Sequence, residues 1–134
     1  ILKVDQAKII VSQEDRETLS ELIDNYTAVD PMIIKCIELL SQGLQKAEIR
    51  PQEEMPEKQV QMNSIVTLNS NFGRKIGLKV VMPDFSDFQK GKLSILSTLG
   101  TAVLGFSEGD KVPWHFPEED EWISIEKVDN SELG

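Results

Sequence analysis

One cysteine and one histidine are all that this 134-residue chain carries of the two residue types most used for metal binding and nucleophilic chemistry. Cys36 alone can form no internal disulfide and no Cys-rich zinc site. Its neighbours Ile33, Ile34 and Ile37 read it as a buried, inert thiol rather than a nucleophile. His115 alone excludes His-based metal clusters, and the strand alternation sets it opposite Trp114 and Phe116, as a sheet-face side chain rather than a general base. Basic residues are scarce as well: 14 Lys and Arg stand against 23 Asp and Glu, for a net charge of −9. Nowhere do three bases follow one another, so direct, general binding to nucleic acid is disfavoured. An acidic protein acting on a nucleic-acid process would act through a protein partner. Long apolar runs are missing too: none approaches the roughly 20 residues that cross a bilayer, and nothing at the N-terminus resembles a signal peptide. A cytoplasmic protein with no membrane contact is expected.

The glycines Gly91, Gly100, Gly105 and Gly109 lack the spacing of phosphate-binding loops. The acidic run Glu118–Glu121 has the look of a solvated hairpin tip rather than paired catalytic carboxylates. No catalytic residue, metal ligand set or cofactor is implied, and no enzyme is expected.

What the chain does have is two apolar periods. Lys8–Val11 is a brief β-like run, suited to an edge strand or a docked extended segment. Ser12 is a candidate N-cap, followed by Glu14, Asp15 and Glu17 in a first helical turn, where negative charge suits the helix dipole. Leu19, Leu22, Ile23 and Tyr26 keep one apolar stripe. After a break over Asn25–Asp30, Asp30 caps a second helix that opens with Pro31. Ile33, Ile37, Leu40, Leu44 and Ala47 form its seam. The spacing predicts an antiparallel helical hairpin over Gln13–Arg50, a short coiled coil.

Pro51–Lys58 is a polar linker with two prolines, after which the period falls to 2. Val60, Met62, Ser64, Val66 and Leu68 alternate as one long strand, and Ile76, Leu78, Val80 and Met82 as its partner across a turn at Asn69–Gly73. A loop over Pro83–Gly91 is expected to fold Phe85 and Phe88 inward. Trp122–Val128 is expected to close the sheet, and Asp129–Gly134 to fray. The fold class is α+β: residues 1–50 the N-terminal segment and helical hairpin, 51–58 a linker, and 59–134 an antiparallel β-sheet domain with one short helix.

That helix lies in GKLSILSTLGTAVLGFSEGDKV, Gly91–Val112, which reads as strand, cap, helix, glycine stop, acidic turn and strand. Ser97 stands where an N-cap belongs, Thr98–Leu104 makes about two turns, and Gly105 can take the left-handed conformation that stops it. Leu99 is read as an apolar residue at an exposed corner, Ser97–Gly100.

This stretch resembles the C-terminal signature of the bacterial Gre transcript-elongation factors (GreA/GreB). The run PQEEMPEKQVQMNSIVTL, through Pro51, Glu54, Met55, Pro56, Val60, Met62, Asn63 and Ser64, is similar to their short-armed type, that of the regulators of nucleoside diphosphate kinase. The resemblance covers about Ile33 to Val128. It implies a C-terminal domain with the fold of the FK506-binding proteins, which docks on RNA polymerase, and an antiparallel coiled coil placed in the polymerase's secondary channel. The family's Ser-Pro corner corresponds to Ser97-Thr98, with Leu99 and Gly100 following, and implies the polymerase contact there. Thr98 departs from the usual proline. Cleavage-competent members carry paired acids at the hairpin tip; here the tip offers Asp30, with Asp24 one turn back. Asp30 is already explained as a cap, so no metal role and no stimulated cleavage are expected. Two other readings stand beside this one. One is a prolyl isomerase, suggested by the implied fold alone, although eight aromatics (Tyr26, five Phe, two Trp) are few for an aromatic-walled pocket. The other is a self-associating coiled-coil adaptor, where the first reading expects a monomer.

Overall fold

Ser12 ends a strand and starts a helix in the same residue. Its backbone is extended (φ −73°, ψ 155°), and its hydroxyl accepts the Asp15 N–H at 3.1 Å. Strand β1 (Ile10–Ser12) thus runs straight into helix α1 (Gln13–Asn25), which buries Leu19 fully. The computed structural model describes residues 9–70, 73–114 and 121–133. Helix α2 (Pro31–Lys46) starts as the sequence suggests, with the Asp30 carboxylate accepting the Met32 N–H at 2.8 Å and Pro31 in the first position. Its buried residues are Cys36, Leu40 and Leu44, with Ile33 and Ile37 half-buried beside them.

The end of α2 differs from expectation. The helix stops at Lys46, Ala47 turns extended (φ −71°, ψ 150°), and Glu48–Arg50 forms strand β2, parallel to β1 in the register Ile10↔Glu48, Val11↔Ile49 and Ser12↔Arg50. The Glu48 N–H donates to the Ile9 carbonyl at 2.8 Å. A waiting strand partner satisfies these backbone groups better than one more frayed helical turn.

The second sheet has the order β5-β4-β3-β7-β6, from β3 (Ile65–Ser70), β4 (Gly73–Val81), β5 (Lys92–Ser94), β6 (Lys111–Trp114) and β7 (Glu121–Asp129). All neighbours are antiparallel except β4 and β5, which are parallel, so the architecture is α+β with a mostly antiparallel sheet. Strand β7 was expected to close the sheet; it lies inside it, between β3 and β6. One face carries Val66, Leu68, Leu78, Val80, Ile123 and Ile125, all buried. Leu19, Leu40 and Leu44 of the helices belong to the same apolar cluster.

Three further expectations are corrected. The alternation from Val60 to Leu68 does not make one strand, for the sheet begins at Ile65. Val60 instead donates its N–H to the Phe106 carbonyl at 2.8 Å, and Gln61–Ser64 turns through Asn63 at φ +71°. Burial does not alternate here, for Gln59, Val60, Gln61 and Met62 are all buried, and the partner of Val60 is the chain around Phe106. Phe85 and Phe88 do not fold inward: each sits on a short 3-10 turn and is 68% and 54% exposed. The tail is tethered at Asn130, whose side-chain amide donates to the Glu57 and Gln59 carbonyls at 2.9 and 2.8 Å and whose Oδ1 accepts from the Ser64 hydroxyl. His115 and Glu118–Asp120, together with the centre of the expected turn at Asn71-Phe72, lie outside the described residues.

Candidate functional site

At the end of β5 the chain makes a knot of local hydrogen bonds. The Ser94 carbonyl accepts the Ser97 N–H at 3.0 Å and the Ser97 hydroxyl at 2.6 Å. The same hydroxyl oxygen accepts the Gly100 N–H at 3.1 Å and so caps helix α3 (Thr98–Val103). The Ser94 hydroxyl accepts the Leu96 N–H at 3.0 Å, and the Thr101 hydroxyl donates to the Ile95 carbonyl at 2.8 Å. A helix of six residues cannot hold itself, and these bonds plus the buried Val103 hold it instead.

Gly100 is the reason the corner can close. A Cβ there would lie 2.3 Å from the Ser94 carbonyl oxygen and 3.1 Å from the Ile95 Cα, backbone atoms that cannot step aside. Ser97, Thr98 and Leu99 surround this buried glycine and are each half-buried. The structure therefore brings the four sequence-chosen corner residues together, and corrects one of them. Leu99 is packed against the core rather than standing at an exposed corner.

Helix α3 also receives the helical segment. It touches α2, and the Cys36 thiol, fully buried, meets the Thr101 hydroxyl. Burial pushes this thiol up from its ordinary pKa, only in part opposed by the Thr101 hydrogen bond, so Cys36 is an inert packing residue. Just past the helix, Gly105 (φ +86°) is a hub. Its carbonyl accepts from the Ile10 N–H at 3.1 Å and from the Gln59 side-chain amide, and its N–H reaches the Val60 carbonyl at 3.0 Å. Ile9 lies so near that a Cβ on Gly105 would sit 2.5 Å from its own Cβ. Sequence reasoning found Gly105 as a helix stop; its second role as the anchor of the N-terminal segment left no local signal.

The other candidate site, the connection between α1 and α2, is built differently. Asp24 and Asp30 are both exposed, and Asp30 is engaged in capping. Val29 beside it is 88% exposed, and Met32 and Ile34 follow at 43% and 41%. Among the described residues no group of three or more His, Cys, Asp or Glu could hold a metal ion. Nor is any helix among them long and apolar enough to cross a membrane.

With this geometry in view, comparison with known proteins is informative. Residues 55–130 match the family described as transcription elongation factor GreA/GreB, C-terminal. The chain is similar to the regulator of nucleoside diphosphate kinase of Escherichia coli K12, with 26% identity over 110 residues that cover 81% of this chain and 79% of the relative. The protein of the same description from Shigella flexneri matches to the same extent. Among solved structures, the prokaryotic transcription elongation factor GreA/GreB from Nitrosomonas europaea superimposes with a TM-score of 0.70 at 30% identity, covering 92% of this chain and 98% of that one.

Proposed function

The chain belongs to the GreA/GreB family of transcription elongation factors, and from that premise we propose that it regulates transcription by docking on RNA polymerase through the Ser97–Gly100 corner. The observation that carries this reading is that the family match, residues 55–130, contains this corner, held by the Ser97 hydroxyl between the Ser94 carbonyl and the Gly100 N–H. Residues 59–134 act as the docking domain, of FK506-binding-protein type, and the preceding helices as a short antiparallel coiled coil carried beyond a linker at 51–58. Ser97, Thr98 and Leu99 make the contact and Gly100 holds them in place. The protein works as a monomer in the cytoplasm, where the polymerase is.

The same reading makes it a channel-occupying regulator without cleavage activity of its own. Helix α2 has 16 residues, about 24 Å at 1.5 Å per residue. Its sixth residue, Cys36, is already buried at α3, so only Pro31–Lys35, about 8 Å of helix, extends past that anchor toward the tip. Two-metal chemistry needs several oxygen ligands around the second ion, and a tip whose Asp30 is engaged as a cap offers few. The test is a pull-down of core RNA polymerase, followed by addition of the protein to backtracked elongation complexes in magnesium. Binding, with competition against a cleavage factor and no transcript cleavage, is the expected result. Cleavage that rises with its concentration and is lost in Asp30→Asn overturns the non-cleaving role.

A further inference from the structure

The like-charged pair Lys79 and Lys92 stands directly across the parallel β4–β5 register. Like charges facing each other on neighbouring strands weaken a sheet unless something anionic sits between them. Glu132 reaches Lys79 at 3.5 Å from a largely exposed position, and Lys92 has no ion-pair partner among the described residues. The surrounding stretch is the basic part of an acidic chain, with Arg74, Lys75, Lys79, Lys90 and Lys92 against Asp84 and Asp87.

Both lysines line an open cleft of about 480 Å³ between the start of α1 and the β4–β5 edge. Its opposite wall is acidic, formed by Glu14 and Asp15. Asp15 accepts the Met62 N–H at 3.0 Å, and burial pushes its carboxyl above the usual range, with that hydrogen bond pulling the other way. Met62 and Met82 also line the cleft, adaptable apolar surface, and so does Phe85, two-thirds exposed. Phe88, three residues on, is exposed as well.

We propose that this cleft is a docking site for a segment of a partner protein, one that sets an acidic side chain on Lys79 and Lys92, apolar side chains on Met82 and Phe85, and a basic side chain against Glu14. The charge layout selects this occupant. A nucleic-acid strand would meet the Glu14 and Asp15 carboxylates, which repel phosphates. A small molecule needs enclosure of most of its surface, whereas here the aromatic lip stands in solvent. An exposed aromatic beside a charged, partly apolar cleft is the anatomy of an interface anchor. The cleft shares no residue with the Ser97–Gly100 corner, so the proposal stands independently of polymerase docking there.

The test uses the full chain and a fluorescein-labelled peptide, Asp-Glu-Leu-Gly-Leu-Arg, titrated by fluorescence anisotropy at low salt. Its controls are the same peptide with Asn and Gln in place of the acids, inorganic phosphate, and a single-stranded oligonucleotide. Saturable binding of the acidic peptide is expected, weakened about tenfold or more in Lys79→Glu/Lys92→Glu and in Phe85→Ala, and weakened by salt. Both variants alter exposed or half-buried side chains, and circular dichroism verifies that they fold; the separate single lysine variants serve if the double one does not. No saturable binding, equal binding of the amide peptide, or an affinity unchanged by both variants overturns the proposal. Full displacement by inorganic phosphate, or binding of the oligonucleotide instead, overturns it too, since either assigns the lysines to a different ligand.

Discussion

The corner at Ser97–Gly100 and the connection at Tyr26–Asp30 both join elements, yet the fold treats them in opposite ways. At the corner, five local hydrogen bonds and a buried glycine hold the backbone. At the connection, one side-chain cap starts α2 and the nearby apolar residues Val29, Met32 and Ile34 face solvent. The lesson is about what each can be asked to do. A surface held this tightly suits recognition, because little ordering remains to be paid on binding. A tip that contributes little to the core is free to change its chemistry without loss of the fold.

The sharpest way to break the contrast is Gly100→Ala. Its Cβ meets backbone, so about 3 kcal/mol of stability should be lost in urea unfolding. Val29→Asp at the tip should cost less than about 0.5 kcal/mol by the same measurement. Equal losses at the two sites would remove the distinction.

Next in size is Gly105→Ala, which combines a left-handed backbone with a clash against Ile9. A loss of about 2 kcal/mol is expected, and removing the Ile9 side chain altogether in Ile9→Gly should recover part of it in a double-mutant cycle, since alanine would keep the Cβ that clashes. Strict additivity would show that Ile9 does not pack on Gly105 in solution.

The two caps give a finer comparison. Ser97→Ala should cost about 1 kcal/mol, because its hydroxyl also bonds the Ser94 carbonyl. Asp30→Ala should cost no more than about that, and Asp30→Asn close to nothing, since asparagine caps equally well. A large loss in Asp30→Asn would assign the carboxylate a role beyond capping.

The smallest effect is in pH dependence. Burial raises the Asp15 carboxyl, so the folded state holds that proton more tightly than the unfolded chain does. The stability this contributes is complete below the ordinary value of 3.8 and is lost as pH rises through the raised folded value. In Asp15→Asn, which can still accept from Met62, that part of the pH dependence should vanish. A wild-type minus variant difference that stays flat across this range would contradict the shift.

Much of this was legible in the sequence where the signal is local. Ser12, Asp30 and Ser97 cap the helices they precede, and Gly105 takes the positive φ that stops α3, because capping and handedness depend on a few neighbouring atoms. What was not legible depends on distant partners. Ala47–Arg50 continues a helical pattern, and only the arrival of β1 turns Glu48–Arg50 into a strand. Val60–Ser64 keeps a period of 2, but nothing local shows that its partner is the chain at Phe106 rather than a sheet neighbour. Phe85 and Phe88 go against the ordinary expectation that phenylalanine is buried, since each stands on a short 3-10 turn outside the apolar cluster. Asn130 looked like frayed tail, and its three hydrogen bonds to Glu57, Gln59 and Ser64 come from the far side of the sequence.

The central claim is that the corner docks on RNA polymerase, and its most direct test is the affinity of core polymerase for the wild-type chain against Thr98→Arg and Leu99→Arg. Thr98 is half-buried at the first position of α3, where a charged side chain can reach solvent without disturbing the core. Leu99 is packed against the core, so its variant must first be shown to fold by circular dichroism and urea unfolding. The wild-type chain is expected to bind, and the folded variants to lose at least about tenfold in affinity. Wild-type affinity in a folded Thr98→Arg and a folded Leu99→Arg would contradict it.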